Sequence, residues 1–290
     1  MKSGSRERGE IVAEEASKKR EARESHAWAG KSGDAAIVVQ HFDALTHRLS
    51  TTLAGPASAA CILFAPFTHD DAVTDACERV LSVEERERAD RFAASAVRRM
   101  FVQRRALRRY AAALALGSRG DLHAHAFAAT DKGRPWLPAT PGVSWSFSSC
   151  RRGMLAAWCP GVEIGVDLEE QARAVDFMAL AQRYFAPEEA AFLLAADEGA
   201  RKGLFLRFWC LKEAVLKAIG VGLAYGLDRF AFALEPSAAL VTAPEEMGGV
   251  AAFRAEELVN DTLQTAGTTA AVVVRVGAGE GGPATAVPVG

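Results

Sequence analysis

No C-x-x-C pair occurs in this sequence; its five cysteines stand apart at 61, 77, 150, 159 and 210. An odd number without close spacing argues against a zinc ribbon or a secreted disulfide framework and leaves buried thiols. The six histidines form no metal motif either, and neither His123 with His125 nor His69 beside Asp70 and Asp71 is read as a ligand set. The apolar stretches are too short to span a bilayer, and the N-terminus lacks a signal-peptide hydrophobic segment. An excess of charge is also missing: 34 Lys and Arg against 36 Asp and Glu give a net charge of −2, so nothing global points to nucleic acid. These absences lead to the expectation of a soluble cytoplasmic protein with no nucleic-acid or membrane partner.

With 290 residues and 50% hydrophobic side chains, the chain can bury one large core or two moderate ones. Residues 1–34 mix Lys, Arg, Glu, Ser and Gly with few large apolar groups, and disorder is expected there. They are too rich in glutamate to resemble a transit peptide. Residues 277–290, Gly, Ala, Pro and Val without periodicity, are expected to be a flexible tail. The folded part divides into an N-terminal half, 35–160, and a C-terminal half, 161–276. In the first, strands are expected at Ala60–Phe64, Val143–Cys150 and Met154–Trp158, with helices from Ser82 and over Ser95–Leu116. In the second, strands are expected at 162–169, Phe230–Leu234 and Ala270–Val276, with helices at Phe177–Phe185, Pro187–Ala196 and Leu204–Ile219.

Chemistry concentrates in two segments. In Ile164-Gly165-Val166-Asp167-Leu168-Glu169 the apolar residues alternate with Gly165, Asp167 and Glu169, the pattern of a half-buried strand. Asp167 and Glu169 then share a face, with Cα atoms roughly 6.6 Å apart, close enough for both carboxylates to reach one ion. Gly165 is expected to leave room beside them. The second segment runs from Phe208 to Leu223 and reads as a helix with apolar positions at Phe205, Phe208, Trp209, Leu211, Val215, Leu216 and Ile219, stopped at Gly220. Glu213 and Lys217 share one face of it. Taken alone, that pair is an ordinary i,i+4 ion pair worth about 0.2–0.5 kcal/mol. Lys212 points about 100° away and is assigned support; Trp209 is assigned packing.

The combination resembles the signature of the 4'-phosphopantetheinyl transferases, (I/V)-G-(I/V)-D-(I/V/L)-E followed by F/W-x-x-K-E-x-x-x-K-x-x-G-x-G-L. It stands here as I-G-V-D-L-E and F-W-C-L-K-E-A-V-L-K-A-I-G-V-G-L. Arg183-Tyr184-Phe185-Ala186-Pro187-Glu188-Glu189 and Gly133-Arg134-Pro135 also match the family's R-F-F-x-x-x-E and G-K/R-P stretches. The resemblance covers residues 80 to 235 and is to the surfactin-synthetase-activating type, a single long chain. It implies an α+β fold of two similar α/β halves related by a pseudo-twofold axis, a monomer, and coenzyme A bound in the cleft between halves.

The resemblance further implies Mg²⁺ held by Asp167, Glu169 and Glu213, and Mg²⁺ suits such a set because it takes oxygen ligands and keeps several waters. The implied reaction moves 4'-phosphopantetheine from coenzyme A to a serine hydroxyl of an apo acyl or peptidyl carrier protein and releases adenosine 3',5'-bisphosphate. Glu213 is the candidate base, Lys217 the group at the pyrophosphate, and Asp167 the third catalytic residue. Arg134, Ser148, Ser149, Arg88, Arg91 and Lys217 are the candidate coenzyme A contacts, with Arg86 considered beside Arg88 and Arg91. The run of nine arginines from Arg86 to Arg109 reads either as a solvated helical face or as a basic wall facing phosphates.

One departure concerns Trp145-Ser146-Phe147-Ser148-Ser149-Cys150, where the family has F-N/S-L-S-H-S/T. Ser149 takes the place of a histidine that contacts the 3'-phosphate, leaving one hydroxyl donor or a purely structural serine. Arg151 and Arg152 are the residues considered for compensation. Two other readings compete with the transferase: a degenerate, non-catalytic binder of coenzyme A or a carrier protein, and a Mg²⁺-dependent hydrolase of nucleotide pyrophosphates. The carrier's pathway, whether fatty acid, polyketide or nonribosomal peptide, is not encoded in these motifs.

Overall fold

The structure is a computed structural model that describes residues 32–118 and 122–277 of the chain. The expected disorder of residues 1–31 and of the tail beyond Gly277 lies outside the described residues. Helix α1 (Ser32–Leu45) begins inside the stretch expected to be unstructured, where Val38 and Phe42 are buried, and the short β1 (His47–Leu49) follows.

Next come β2 (Cys61–Pro66), α2 (Asp71–Arg79), α3 (Val83–Asp90), the 22-residue α4 (Ser95–Leu116), the small ladder of β3 (Ala128–Ala129) and β4 (Pro135–Trp136), and the hairpin of β5 (Val143–Ser149) and β6 (Gly153–Pro160). The second half repeats this order. β7 (Glu163–Glu170) leads to α5 (Phe177–Tyr184), α6 (Pro187–Ala195) and the 22-residue α7 (Glu198–Ile219). A small ladder of β8 (Ala231–Ala233) and β9 (Ala239–Thr242) follows. The half closes with β10 (Phe253–Glu257), the short α8 (Asp261–Thr265) and β11 (Thr268–Arg275). Both main sheets are antiparallel and wired alike, as β2-β6-β5 with β1 added at its edge and as β7-β11-β10. The expected pair of similar halves is therefore present, although no residue-by-residue repeat betrays it.

Each long helix forms because its apolar residues recur on one face and its end is punctuated. Val102, Ala106, Leu107 and Tyr110 of α4 are buried against the first sheet with Trp145, Met154 and Ala156. Phe205, Phe208, Leu211 and Val215 of α7 do the same against Ala271 and Val273. Gly220, at φ 70°, ends α7 in the left-handed conformation that disfavours any residue with a Cβ. α3 starts at a capping box, Ser82 Oγ accepting from the Glu85 amide at 3.2 Å while Glu85 Oε2 accepts from the Ser82 amide at 3.1 Å. The sheet faces turned away from the long helices meet in a third core, where Ile62, Phe64 and Leu155 join Ile164, Val166 and Leu168. Each large side chain sealed there contributes about 1.5–3 kcal/mol of burial.

β5 and β7 run in parallel at the join between halves without a backbone ladder between them. Instead, the amides of Ile164, Val166 and Leu168 donate to the hydroxyls of Ser144, Ser146 and Ser148 at 2.9, 3.0 and 3.2 Å. This row of serines satisfies amides that would otherwise be buried without partners. It also delivers Ser148 beside Asp167.

Candidate active site

The site grows from β7 and α7. Gly165, Asp167 and Glu169 face the helix, as the alternation predicts, but the space beside Gly165 is not open. A Cβ there would lie 2.0 Å from the Ala214 carbonyl oxygen and 2.4 Å from the Ala218 nitrogen. The absent side chain is filled by the backbone of α7, which lies directly on the strand. That close approach carries Glu213 and Lys217, neighbours of Ala214 and Ala218 in the helix, over the two acids of the strand.

Asp167 is 4% exposed. Its Oδ1 accepts from Lys217 Nζ at 2.5 Å and from Ser148 Oγ at 2.8 Å, while Lys217 Nζ also reaches Ser148 Oγ at 3.0 Å. Oδ2 of the same carboxylate is sealed from solvent and has no hydrogen-bond partner. Burial is the largest single influence on Lys217 and works against its charge, but the charge and hydrogen bond of Asp167, joined by the Glu213 charge, together raise the lysine pKa.

Glu169 is pushed up to about 7, first by burial and then by the Asp167 charge, against the pull of Arg173 and Lys217. Glu213 is raised by the same two causes in the same order. Arg173 binds Glu169 through its Nη1 and lays its guanidinium 5.6 Å from the Trp209 ring centre. Trp209 packs as expected, its ring tilted against those of Phe185 and Phe205, and also lies under the Arg173 guanidinium.

Asp167, Glu169 and Glu213 lie close enough for their charges to act on one another, and three oxygen donors, one of them an orphaned buried atom, are of the kind a hard divalent cation takes. Among the described residues no three such groups are already gathered into a cage. Asp167 is turned to Lys217 and Glu169 to Arg173, so internal cations hold the acids.

The other expected contacts fall in different places. Arg134 is not beside the carboxylates; at the far end of β5 from Ser148, it bonds Ser144 Oγ at 2.7 Å and Glu163 at 3.1 Å and lies against Gly220. Ser149 receives Arg104 Nη1 at 3.2 Å, whereas Arg151 is exposed and leans toward Glu170 at 3.8 Å. Arg88 stacks on Phe101 at 5.6 Å, Arg91 caps the C-terminus of α3, and Arg86 binds the Leu81 carbonyl. Lys212 is wholly buried away from the site. Arg104 and Arg173 were not singled out from sequence, because only the packing of α4 on β5 and the turn after β7 brings them to their partners.

A family model described as the 4'-phosphopantetheinyl transferase superfamily matches residues 163–266. Over 170 residues the chain is 34% identical to the 4'-phosphopantetheinyl transferase HetI of a Nostoc species, an alignment covering 57% of this chain and 70% of that one. The chain belongs to the 4'-phosphopantetheinyl transferase superfamily. A second relative, the 4'-phosphopantetheinyl transferase of Bacillus subtilis, is 30% identical over 155 residues, covering 53% of this chain and 67% of its own. The holo-[acyl-carrier-protein] synthase of Thermotoga maritima aligns in structure with a TM-score of 0.31 at 18% identity, over 40% of this chain and 64% of that one. The superfamily match contains Asp167, Glu169, Arg173, Glu213 and Lys217; Arg104, Ser148 and Ser149 lie before it.

Proposed function

We propose that this transferase moves 4'-phosphopantetheine from coenzyme A to a serine hydroxyl of an apo carrier protein, releasing adenosine 3',5'-bisphosphate. The observation that carries the reading is the buried Asp167 carboxylate, with one oxygen bound by Lys217 and Ser148 and the other unpaired beside two further acids. Asp167, Glu169 and Glu213 are the residues that would hold Mg²⁺. When bound, the ion supplies charge neutralisation at the pyrophosphate.

The chain's own groups have separable tasks. The carrier serine oxygen forms a bond to the phosphorus that bears pantetheine, and the bond from that phosphorus to the bridging oxygen breaks, its electron pair leaving with adenosine 3',5'-bisphosphate. Glu213, whose raised pKa brings it nearer the working range of a base, takes the serine proton. Lys217, kept charged by Asp167, stands ready to meet the phosphate oxygens. Ser148 fixes both partners through one hydroxyl.

The proposal extends to location and partners. No helix among the described residues is long and apolar enough to cross a membrane, and all five cysteines are free thiols, which accords with a reducing, cytoplasmic compartment. The carrier would dock near α7 and the loop after Gly220, where Leu223 is 56% exposed. The test is intact-mass analysis of several apo carriers incubated with the protein, coenzyme A and Mg²⁺. A gain of one phosphopantetheine, absent with Asp167→Ala, supports the reading. No gain on any carrier, from a protein that binds coenzyme A, moves it to the non-catalytic binder.

A further inference from the structure

Five charges act on one another where β7 meets α7. Those that bear on Glu169 are Asp167, Arg173, Lys217 and Glu213, and those that bear on Glu213 are Asp167, Lys217 and Arg173. Three carboxylates with one ammonium and one guanidinium carry a formal charge of −1, against −3 for the acids alone. Lys217 has a task at the phosphates in the proposed reaction. Arg173 has none, yet it is held in place from two sides.

The first hold is the turn after β7. Four residues of extended strand would separate Arg173 from Glu169 by about 13 Å. Instead, the Arg173 amide donates to the Glu170 carbonyl at 3.1 Å and the Gln171 amide to the Gly267 carbonyl at 2.9 Å, which turns the chain back on itself. Arg173 Nη1 then reaches Glu169 Oε1. The second hold is Trp209, whose ring lies 5.6 Å under the guanidinium and which stands one helical turn before Glu213 on α7. Through that placement one cation bears on two acids of the triad. The ion pair joins a strand to its own turn and ties no distant elements together. Arg207, by contrast, clamps α7 to β10 through two bonds to Glu257, at 2.6 and 2.7 Å. Arg173 meets Glu169 through one nitrogen, and its side chain stays 34% exposed.

A fixed positive charge on one of three acids works against any further cation drawn to them. We propose that Arg173, acting through Glu169, lowers the affinity of the Asp167, Glu169 and Glu213 triad for a divalent cation. A unit charge about 6 Å from a doubly charged ion, screened as in bulk water, weakens its binding about tenfold. The inference rests on the assignment of these three acids as the cation's holders in the proposed transferase. Arg173 touches none of the reacting atoms; its effect is on how readily the cation is held, and Trp209 is the platform that keeps the guanidinium where it has that effect.

The test is titration of the full chain with Mn²⁺, followed by the electron paramagnetic resonance of the free ion, and with Mg²⁺ by calorimetry. Arg173→Gln should bind Mn²⁺ about tenfold more tightly than the native protein. Arg173→Met, which keeps a contact with the Trp209 ring without the charge, should match it and stands in if the glutamine variant does not fold. Arg173→Lys, which keeps the charge, should stay within about threefold of native. Folded neutral variants with native or weaker affinity overturn the proposal, weaker affinity because Arg173 would then be orienting Glu169 for the ion. A lysine variant as tight as the glutamine one overturns it too, since the effect would not be one of charge. Asp167→Ala separates this inference from the reading beneath it. Mn²⁺ binding that survives Asp167→Ala removes the cation site of the proposed function and the inference with it. Binding lost with Asp167→Ala but indifferent to Arg173 overturns the inference alone.

Discussion

Lys212 and Glu189 form an ion pair of 2.6 Å in which the lysine is 0% and the glutamate 2% exposed. Adjacent in sequence to Glu213, Lys212 faces away from the carboxylate site. Its ammonium also donates to the Leu227 and Phe230 carbonyls, while Glu189 accepts the amides of Ala186 and Phe232. One pair thus ties α7 to the start of α6 and to β8. Burial raises the glutamate pKa and lowers that of the lysine, so each needs the other to stay charged.

Removing one partner should therefore be a stability lesion. Glu189→Ala and Lys212→Ala are each expected to cost about 3–5 kcal/mol, because the remaining charge is left buried and unpaired. Urea denaturation measures this, and a loss below about 1 kcal/mol would refute the structural role of the pair.

Asp167→Ala and Glu213→Ala should behave in the opposite way. Carrier modification is expected to fall by at least about a hundredfold, with the circular dichroism spectrum of the native protein retained. A chelator should silence the native protein similarly. Turnover persisting in EDTA would remove the cation from the mechanism.

Gly165→Ala tests the contact that builds the site. The new Cβ collides with the α7 backbone rather than with a flexible side chain, so the helix must lift from β7. A destabilisation of about 1–3 kcal/mol is expected, together with lost transfer. Native stability and native rate in this variant would mean that helix and strand are not in such close contact.

Ser146→Ala addresses the join between halves. Ser146 is 3% exposed and its hydroxyl accepts the Val166 amide at 3.0 Å, so truncation strands that amide at a cost of about 1–3 kcal/mol. Hydrogen exchange at Val166 should accelerate more than at Val272, its partner across the β7–β11 ladder. Equal changes at the two sites would argue against a localised effect.

The cysteines give a check on burial. Cys77 is pushed up to about 12 and Cys159 to about 11 by burial, whereas Cys150 is only half-buried. Alkylation of the native protein at neutral pH should modify Cys150 first, and all five thiols should react together only after unfolding. Early labelling of Cys77 would contradict the packing of α2.

Much of this architecture was legible because it is written in local periodicity. The alternation around Asp167, the apolar face of α4 with its limits at Ser95 and Leu116, and the stop at Gly220 all translate directly into structure. Elements without such a rhythm escaped: α2, rich in charge over Asp71–Arg79, and β10, whose Phe-Arg-Ala-Glu-Glu pairs with β11 through backbone alone. Gly165 was misread because the sequence tells that a side chain is missing, not what fills its place. Beside Ser149 the sequence offers its neighbours Arg151 and Arg152, whereas the guanidinium that reaches the Ser149 hydroxyl, Arg104, arrives from 45 residues earlier through helix packing.

The row of Ser144, Ser146 and Ser148 makes the junction between the halves unlike an ordinary sheet. A backbone ladder persists through almost any change of side chains, whereas the hydrogen bonds across this junction last only while three particular hydroxyls are present. Its two ends are also anchored, Ser144 by Arg134 and Ser148 by Asp167 and Lys217. Attachment of one half to the other is in this sense spelled in residue identity, and the last letter of that spelling, Ser148, also holds Asp167 and Lys217 in place.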